Sequence, residues 1–427
     1  MGCSDVGIGS TRKGPRWSAL AIGVVGALLG LVAPAPVPIA RAVAPTHVSG
    51  ATAVVPAPSA WPQGWDMVGH DPQRTGRSPS TVRPHPRLIF TYTDDLCGGT
   101  LLIDATGDIY AWCGKGLTAL TMAGRRRWRV AVSDGEGGPP ALAPDGLVLA
   151  NANDGMTDYR HQFIIALAAA TGQRRWIVHS LPWAAALGAD VPNSKGAAPL
   201  VTAANLLYVP FVGPSPYHGI EVFGLAGQSL RRLAPPAAPT AMAAAFDGTL
   251  YVISDNALVA YAPGGAVRWQ RPSYATAVLV SARGTVYTAD GTNGVGAYAA
   301  DGRLLWRRAT GDQVISLAER ADGTVLALGR AGLSAVSAAG RRLWRRPAGR
   351  LSRTPYPLPP TIAVDAAGRA YVGSDDGMVR AIARDGALLW TLPAGGPTSL
   401  GETPSIALGP RGTLVVAGTD GRLRVYQ

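Results

Sequence analysis

The side chains with the widest range of binding chemistry fall in three long connecting segments of this chain. Residues 151–162, 178–198 and 210–219 bring together carboxylate, guanidinium, imidazole, amide and aromatic groups. Such a mixture suits contact with a protein or a glycan. Sequence drift in unconstrained loops would give a similar mixture, and this alternative stays open. The candidate binding residues are Asp154, Asp158, Tyr159, Arg160, His161, Trp183, Asn193, Lys195, Tyr217 and His218.

Residue patterns that carry catalysis or bind a metal ion are missing from the sequence. It contains neither a Gly-x-Ser-x-Gly nucleophile motif nor a phosphate-binding Gly-x4-Gly-Lys-Ser/Thr loop. Asp-rich turns such as Ser374–Gly377 lack the further carboxylates of a calcium loop. The pair His70–Asp71 is interpreted as part of an N-terminal packing segment rather than as a catalytic dyad. No histidines have metal-ligand spacing among His47, His70, His85, His161, His179 and His218. We therefore predict no catalytic residue and no metal site.

Two cysteines flank the turn Asp104–Gly107. If Leu101 lies opposite Ile109 in a hairpin, the same register puts Cys97 opposite Cys113. Their Cα atoms would then lie about 5.5 Å apart, which is within disulfide reach. An exported protein would favour the bond, and two buried thiols are the alternative.

A repeat defines the elements that must position these residues. A glycine is followed four residues later by tryptophan at Gly124/Trp128, Gly172/Trp176, Gly265/Trp269, Gly302/Trp306, Gly340/Trp344 and Gly386/Trp390. Gly227 and Arg231 form a degenerate copy in the longest gap. The period of roughly 40 to 45 residues is that of one four-stranded propeller blade.

Counting these slots gives eight blades. We predict an all-β fold, an eight-bladed β-propeller of four-stranded antiparallel blades, closed by the N-terminal strand around Phe90. Seven blades is the alternative if the Arg231 repeat is not a true blade. The aromatic slots are interpreted as structural, with each ring buried between neighbouring blades. They are Phe90, Trp128, Trp176, Trp269, Trp306, Trp344 and Trp390.

The long connections share one face of such a propeller. Second-to-third strand turns and blade-to-blade links emerge together, and we call this side the link face. The three segments of blades 2 and 3 belong to it, as does the link Arg345–Pro360 that enters blade 7. Insertions concentrated on one face of a repeat array often mark the binding face.

Two segments carry a resemblance to a known family. The stretch Ala166–Trp176 resembles the tryptophan-docking motif of pyrroloquinoline-quinone (PQQ)-like propeller repeats, and Trp65–Ser78 is similar to the N-terminal segment of bacterial members. The resemblance covers about 65–427. The family includes PQQ- and calcium-dependent dehydrogenases and non-catalytic envelope propellers such as the outer-membrane assembly scaffold. The dehydrogenases are typically larger, and several have adjacent cysteines at the cofactor. This chain has no such pair, and the dehydrogenases' catalytic aspartate and calcium ligands match no position here.

The N-terminus has the pattern of a targeting segment. Basic residues precede the uncharged apolar run Ser18–Ala33, and Ala40–Ala42 offers a small-x-small cleavage site. We predict a signal peptide or membrane anchor at 1–42, a disordered Pro/Ala-rich linker at 43–64 and the propeller at 65–427. The protein would be exported to the periplasm, the cell surface or the medium, and membrane anchoring by the N-terminal segment is the alternative to its cleavage.

The net charge of +12 comes almost wholly from arginine, and arginines cluster around the tryptophan slots. Protection of the outer strand edges explains these clusters, and a rim attracted to anionic envelope polymers or membranes is the alternative. The export signal disfavours nucleic acid as a partner.

Together these observations predict a monomeric, exported, non-catalytic scaffold without a cofactor. Its partner would be an envelope or extracellular protein, with a glycan as the alternative, and only an uncleaved N-terminal segment would contact the membrane. The alternatives are a PQQ-dependent dehydrogenase, with PQQ and calcium as cofactors, and a glycan-binding surface protein.

Overall fold

The computed structural model describes residues 64–93, 95–114, 116–131, 138–153, 162–179, 198–211, 218–290, 294–349, 351, 362–397 and 402–427. The predicted signal peptide or anchor and the predicted linker, apart from Gly64, lie outside these ranges. Gly64 is buried at the start of the described chain. Among the described residues, no helix has the length and apolar character needed to cross a membrane.

The chain forms antiparallel strands of two to seven residues, which alternate with turns, many of them containing glycine. The first strand, β1 (Leu88–Tyr92), does not pair with the strands that directly follow it in the sequence. Blade 1 consists of β2 (Cys97–Ile103), β3 (Ile109–Cys113), β4 (Gly116–Leu120) and β5 (Arg126–Ala131). Blade 2 consists of β6 (Ala141–Leu142), β7 (Leu147–Asn153), β8 (Gln162–Ala168) and β9 (Arg174–Val178). Blade 3 consists of β10 (Leu200–Val201), β11 (Leu206–Phe211), β12 (Gly219–Gly224) and β13 (Ser229–Leu233).

The same four-stranded order continues to the end of the chain. Blade 4 consists of β14 (Pro239–Ala244), β15 (Leu250–Ser254), β16 (Ala257–Tyr261) and β17 (Val267–Pro272). Blade 5 consists of β18 (Ala275–Val280), β19 (Val286–Asp290), β20 (Gly294–Tyr298) and β21 (Leu304–Ala309). Blade 6 consists of β22 (Val314–Glu319), β23 (Val325–Gly329), β24 (Leu333–Val336) and β25 (Arg342–Arg346). Blade 7 consists of β26 (Ala363–Val364), β27 (Ala370–Gly373), β28 (Met378–Ile382) and β29 (Leu388–Pro393).

The eighth blade joins the two ends of the propeller. It consists of β30 (Ser405–Leu408), β31 (Leu414–Ala417), β32 (Leu423–Tyr426) and the N-terminal strand β1 as its outer strand. Arg87 and Gln427 exchange backbone hydrogen bonds at the end of this pairing. The eight-bladed all-β propeller with N-terminal closure is thus confirmed, and the Arg231 repeat is a true blade.

The first strands of neighbouring blades contact one another and form the wall of the central channel. The core lies in the gaps between blades, where side chains of adjacent sheets form joint clusters. One cluster joins blades 2, 3 and 4, and another joins blades 7, 8 and 1.

Cys97 and Cys113 form a disulfide, with their Cα atoms 4.0 Å apart. The register that led to this prediction is wrong near the turn, where Ile103 rather than Leu101 lies opposite Ile109. A bulge between Gly98 and Leu102 shifts the pairing by two residues and restores the predicted pairing at the cysteines. The Cα separation is shorter than expected and resembles that of a non-hydrogen-bonded pair.

The tryptophan slots link each blade to the next. Trp306 lies opposite Ala297 in its own sheet, and its indole Nε1 donates to the Ala338 carbonyl of blade 6 at 2.9 Å. The ring lies on Gly340, where a Cβ would come within 2.7 Å of it, and φ at this glycine is +79°. Only glycine fits such a position without strain. Equivalent indole–carbonyl bonds join Trp128 to Ala169, Trp176 to Leu225, Trp269 to Ala300 and Trp344 to Arg384.

The two slots without tryptophan, at Phe90 and Arg231, keep the contact with the following blade through a different side chain. Phe90 of blade 8 lies against Gly124 of blade 1. Arg231 donates through Nη2 to the Pro263 carbonyl, which is the position that an indole N–H would contact. A planar guanidinium thus takes the place of the planar indole at the junction of blades 3 and 4.

Candidate functional site

The N-terminal segment closes one end of the central channel. Residues 64–82, which we call the plug, follow the ring and meet the ends of the first strands in blade order. Backbone hydrogen bonds join Trp65 to Ile103, Asp66 to Leu142, Pro72 to Ala244, Gln73 to Val280, Thr75 to Glu319 and Gly76 to Val364. These strand ends lead into first-to-second strand turns, so the plug lies at the face opposite the link face. Most of the plug is buried.

Arg74 fastens the plug to blades 3 and 4. Its Nε donates to the Met242 carbonyl at 3.1 Å, and its Nη2 donates to the carbonyls of Ala198 and Pro199 at 3.2 and 3.1 Å. Nη1 donates to Val68 within the plug itself. Burial lowers the pKa of the Arg74 guanidinium to about 10, and the negative charge of Asp71 opposes this shift. The group therefore stays a cation at neutral pH and is satisfied mainly by carbonyl oxygens.

The pair His70–Asp71 stabilises a turn of the plug. The Asp71 carboxylate accepts hydrogen bonds from the Thr75 backbone N–H at 2.9 Å and from the Thr75 hydroxyl, and His70 Nδ1 lies 3.2 Å from it. Burial alone would raise the pKa of Asp71, but the bonds from His70 and Thr75 outweigh burial and lower it. These contacts are local, which agrees with a packing role for the pair.

Glu319 lies at the closed end of the channel and is 5% exposed. Burial raises the pKa of its carboxyl to about 7, and the charges of Asp71 and Asp322 act in the same direction. Sequence reasoning missed both Glu319 and Arg74, because neither stands in a recognisable motif. Only the plug's own resemblance to a family segment pointed to this region.

The channel wall differs between its two ends. Exposed residues of the first strands lie near the strand starts, at the link face, and include Gly98, Thr240 and Thr276. The last residues of β2, β14, β18 and β22 are all buried beneath the plug. Within the described ranges, the channel is therefore a pit that is closed by the plug and reached from the link face.

The strands that flank the long connections end at the link face, as the meander requires. At this face β7 ends and β8 begins, β9 ends and β10 begins, and β11 ends and β12 begins. Of the ten predicted binding residues only His218 is described, and it is half-buried just before β12. Its carbonyl accepts a 2.7 Å hydrogen bond from Arg232 Nη2. The other nine, Asp154, Asp158, Tyr159, Arg160, His161, Trp183, Asn193, Lys195 and Tyr217, lie outside the described residues.

Among the described residues, the exposed wall of the pit lacks the charged groups that a bound quinone would need. PQQ is an anionic, carboxylated quinone, so its site requires cationic or other strong donors. The exposed wall residues Gly98, Thr240 and Thr276 carry no charge. In the part of the chain that the structure describes, no group of three His, Cys, Asp or Glu side chains could hold a metal ion. Gly98, Thr240 and Thr276 therefore offer no charged group to the carboxylates of a quinone.

Comparison with known proteins identifies relatives of this fold. The sequence model of the family described as outer membrane protein assembly factor BamB matches residues 160–353 and 254–423. No curated protein matches the chain.

Three similar solved structures are one BamB and two dehydrogenases. BamB from Moraxella catarrhalis shares 16% identity at a TM-score of 0.57, covering 80% of this chain and 100% of its own. A europium-containing methanol dehydrogenase shares 14% at 0.60, covering 83% and 89%. The quinohemoprotein alcohol dehydrogenase ADHIIG from Pseudomonas putida HK5 shares 14% at 0.59, covering 86% and 80%. At these identities the likeness shows the fold alone.

Proposed function

Because the chain belongs to the family of the outer membrane protein assembly factor BamB, we propose that it is an exported, non-catalytic scaffold that binds another envelope or extracellular protein. The observation that carries this proposal is the plug. It occupies the face opposite the link face, so the link face is the end of the propeller at which the channel is accessible. The long connections of blades 2 and 3 start and end on that same face.

The absence of catalysis is part of the proposal. Two ionisable groups of the plug are engaged in packing: Arg74 donates to carbonyl oxygens beside blades 3 and 4, and Asp71 binds Thr75 and His70 within the plug. A general base must reach its substrate, but His70 and Arg74 are buried at the closed end of the channel and Asp71 is only partly exposed there. We propose that the scaffold uses no cofactor.

Export is supported by the chemistry of blade 1. The Cys97–Cys113 disulfide joins two neighbouring strands, and disulfides persist in oxidising compartments outside the cytosol. The apolar run Ser18–Ala33, preceded by basic residues, has the composition of an export signal. We place the mature propeller in the periplasm, at the cell surface or in the medium, as a monomer.

The binding face can be tested by replacing residues 180–197 with a short glycine-serine link. This change keeps Ala198, whose carbonyl Arg74 binds, so the ring should melt within a few degrees of the wild type. We expect the variant to lose the protein partner that the wild-type chain crosslinks in intact cells. The matched control replaces residues 352–360, which connect blades 6 and 7 at the same face, and should keep the partner.

Unchanged crosslinking after replacement of residues 180–197 would contradict the assigned face. The non-catalytic part of the proposal would be contradicted by a stoichiometric quinone absorption band, together with dye reduction, after incubation of the purified chain with PQQ and calcium.

A further inference from the structure

A small polar pocket opens on the link face between blades 4 and 5. It has a volume of about 110 Å³, and its lining includes Tyr274, Thr288, Asp290, Gly296, Tyr298 and Arg307. Tyr274 comes from the link between the two blades, and Asp290 ends the second strand of blade 5. A space of this size holds several water molecules or the hydroxyl-bearing edge of a sugar ring.

The pocket exists because blade 5 departs from the pattern of the other blades. Thr288 and Gly296 lie opposite each other in its second and third strands. A Cβ on Gly296 would lie 2.7 Å from the Thr288 hydroxyl, so the missing side chain is what leaves the space. In the other seven blades the same pair is Ala111/Thr118, Ala150/Ile165, Val209/Glu221, Val252/Val259, Ala327/Ser334, Val372/Arg380 and Val416/Arg424. Among the eight pairs, blade 5 alone combines a hydroxyl with a glycine.

The polar groups of the pocket are suited to a neutral ligand rich in hydroxyls. Thr288 is 2% exposed, and its hydroxyl makes no hydrogen bond with the described residues. Arg307 Nη2 donates to the Tyr298 hydroxyl at 3.2 Å, which leaves further N–H groups on the guanidinium. The opposite charges of Asp290 and Arg307 balance, so the pocket attracts neither anions nor cations strongly.

The rim of the pocket adds an aromatic surface. The Tyr274 side chain is 68% exposed, which is unusual for a large aromatic residue. Small-molecule sites typically combine such an apolar surface with a few convergent polar groups. The apolar face of a pyranose ring can lie on an aromatic ring while its hydroxyls reach polar groups beside it.

We propose that this pocket binds one neutral sugar residue of a glycan. The Tyr274 ring stacks on the pyranose face, the Asp290 carboxylate and the Arg307 guanidinium bind sugar hydroxyls, and the Thr288 hydroxyl bonds the group that enters the pocket. The proposal goes beyond the scaffold function and does not depend on it, because the pocket lies in blades 4 and 5 rather than in the long connections of blades 2 and 3.

Saturation-transfer NMR and calorimetry on the full-length chain would test the proposal, with cellobiose, maltose and N,N′-diacetylchitobiose as neutral probes and glucuronate as the charged one. We expect at least one neutral disaccharide to bind and glucuronate to bind more weakly. Tyr274→Ala and Thr288→Val should each weaken binding about tenfold, which corresponds to about 1.4 kcal/mol. Tyr274→Phe and Thr288→Ser keep the ring and the hydroxyl, and should bind within about twofold of the wild type, a difference of under 0.5 kcal/mol.

A second variant separates loss of the pocket from loss of the fold. Thr288→Ala combined with Gly296→Ser reproduces the pair found in blade 6, so it should fill the pocket and abolish binding while the melting temperature stays close to the wild type. The proposal is overturned if none of the three disaccharides binds, if this double variant still binds, or if glucuronate is preferred.

Discussion

Glu319 illustrates how burial at the closed end of the channel changes the pKa of a single residue. Its backbone N–H binds the Thr75 carbonyl of the plug, so its side chain is held in the buried end of the channel. Burial is the largest cause of its raised pKa, and Asp71 and Asp322 add to it. Arg77 and Arg283 act in the opposite direction but do not restore the ordinary value. A carboxyl group at this position favours its neutral form.

The titration of Glu319 predicts a pH-dependent stability. Its folded-state pKa of about 7 exceeds the ordinary value of 4.5, so its contribution is fully present below about pH 4.5 and is lost as the pH rises through 7. Glu319→Gln should remove this loss and raise the free energy of unfolding above pH 7 by up to about 3 kcal/mol. Chemical denaturation at pH 5 and pH 8 measures the effect.

The control for Glu319 is Asp255→Asn, which changes an exposed turn carboxylate. Its stability difference from the wild type should be the same at both pH values. If the Glu319→Gln difference were also independent of pH, the carboxyl would not titrate in this range.

At the scale of elements, five of the eight blades are fixed to the next by an indole hydrogen bond and a glycine turn. The turn that receives the indole joins the third and fourth strands of the following blade. Blade 8 has no such turn, because its fourth strand is β1 from the N-terminus. Trp390 of blade 7 accordingly makes no indole hydrogen bond with the described residues, although it packs against the cluster of blades 7, 8 and 1.

This difference predicts unequal effects of the same substitution. Trp306→Phe leaves the Ala338 carbonyl without its donor, whereas Trp390→Phe removes ring area alone. The first variant should lower the free energy of unfolding by about 1 kcal/mol more than the second. Urea denaturation of the two variants measures the difference, and equal losses would show that the indole hydrogen bonds do not stabilise the blade junctions.

For the whole molecule, ring closure and channel closure are accomplished by one continuous segment. The plug bonds to strand ends from blade 1 to blade 7, and β1 then completes blade 8. A propeller opened at this point would expose the edge of β32, whose N–H and C=O groups would then be free to pair with another chain.

Deleting residues 1–92 should therefore make the chain assemble into larger oligomers or aggregates than the full-length protein forms. The matched control, deletion of residues 1–63, keeps the plug and β1 and should stay monomeric. Size-exclusion chromatography with light scattering distinguishes these results. A monomeric 1–92 deletion with wild-type stability would mean that the ring is held without its N-terminal strand.

The fold could be predicted from the sequence because the same residue types recur at the same positions of most repeats. The slots from Phe90 to Trp390 recur at one blade length, and only glycine fits beneath a ring as Gly340 does beneath Trp306. The disulfide followed from the same reasoning, but the bulge between Gly98 and Leu102 did not, although it contains Gly98 and Gly99, a residue type that often marks a bulge, and φ at Gly99 is +73°. Cys97 and Cys113 paired as expected even though the register at the turn was wrong.

Much less of the candidate site could be predicted. The link face followed from the lengths of the connections, but nine of the ten residues chosen on it lie outside the described ranges, so their role stays a prediction. Arg74 acts on carbonyl oxygens more than 100 positions away in the chain. The blade 5 pocket depends on Thr288 and Gly296 facing each other, which a pattern of turns and slots does not indicate.

The sequence by itself thus determined the number of blades, their closure and the disulfide, because these depend on residue types repeated at short range. Tertiary structure alone decided which end of the channel is closed, how Arg74 and Glu319 are buried there, and where a glycine leaves room for a ligand. Those features arise where distant segments meet, and their energies come from burial and hydrogen bonding between partners that no local pattern specifies.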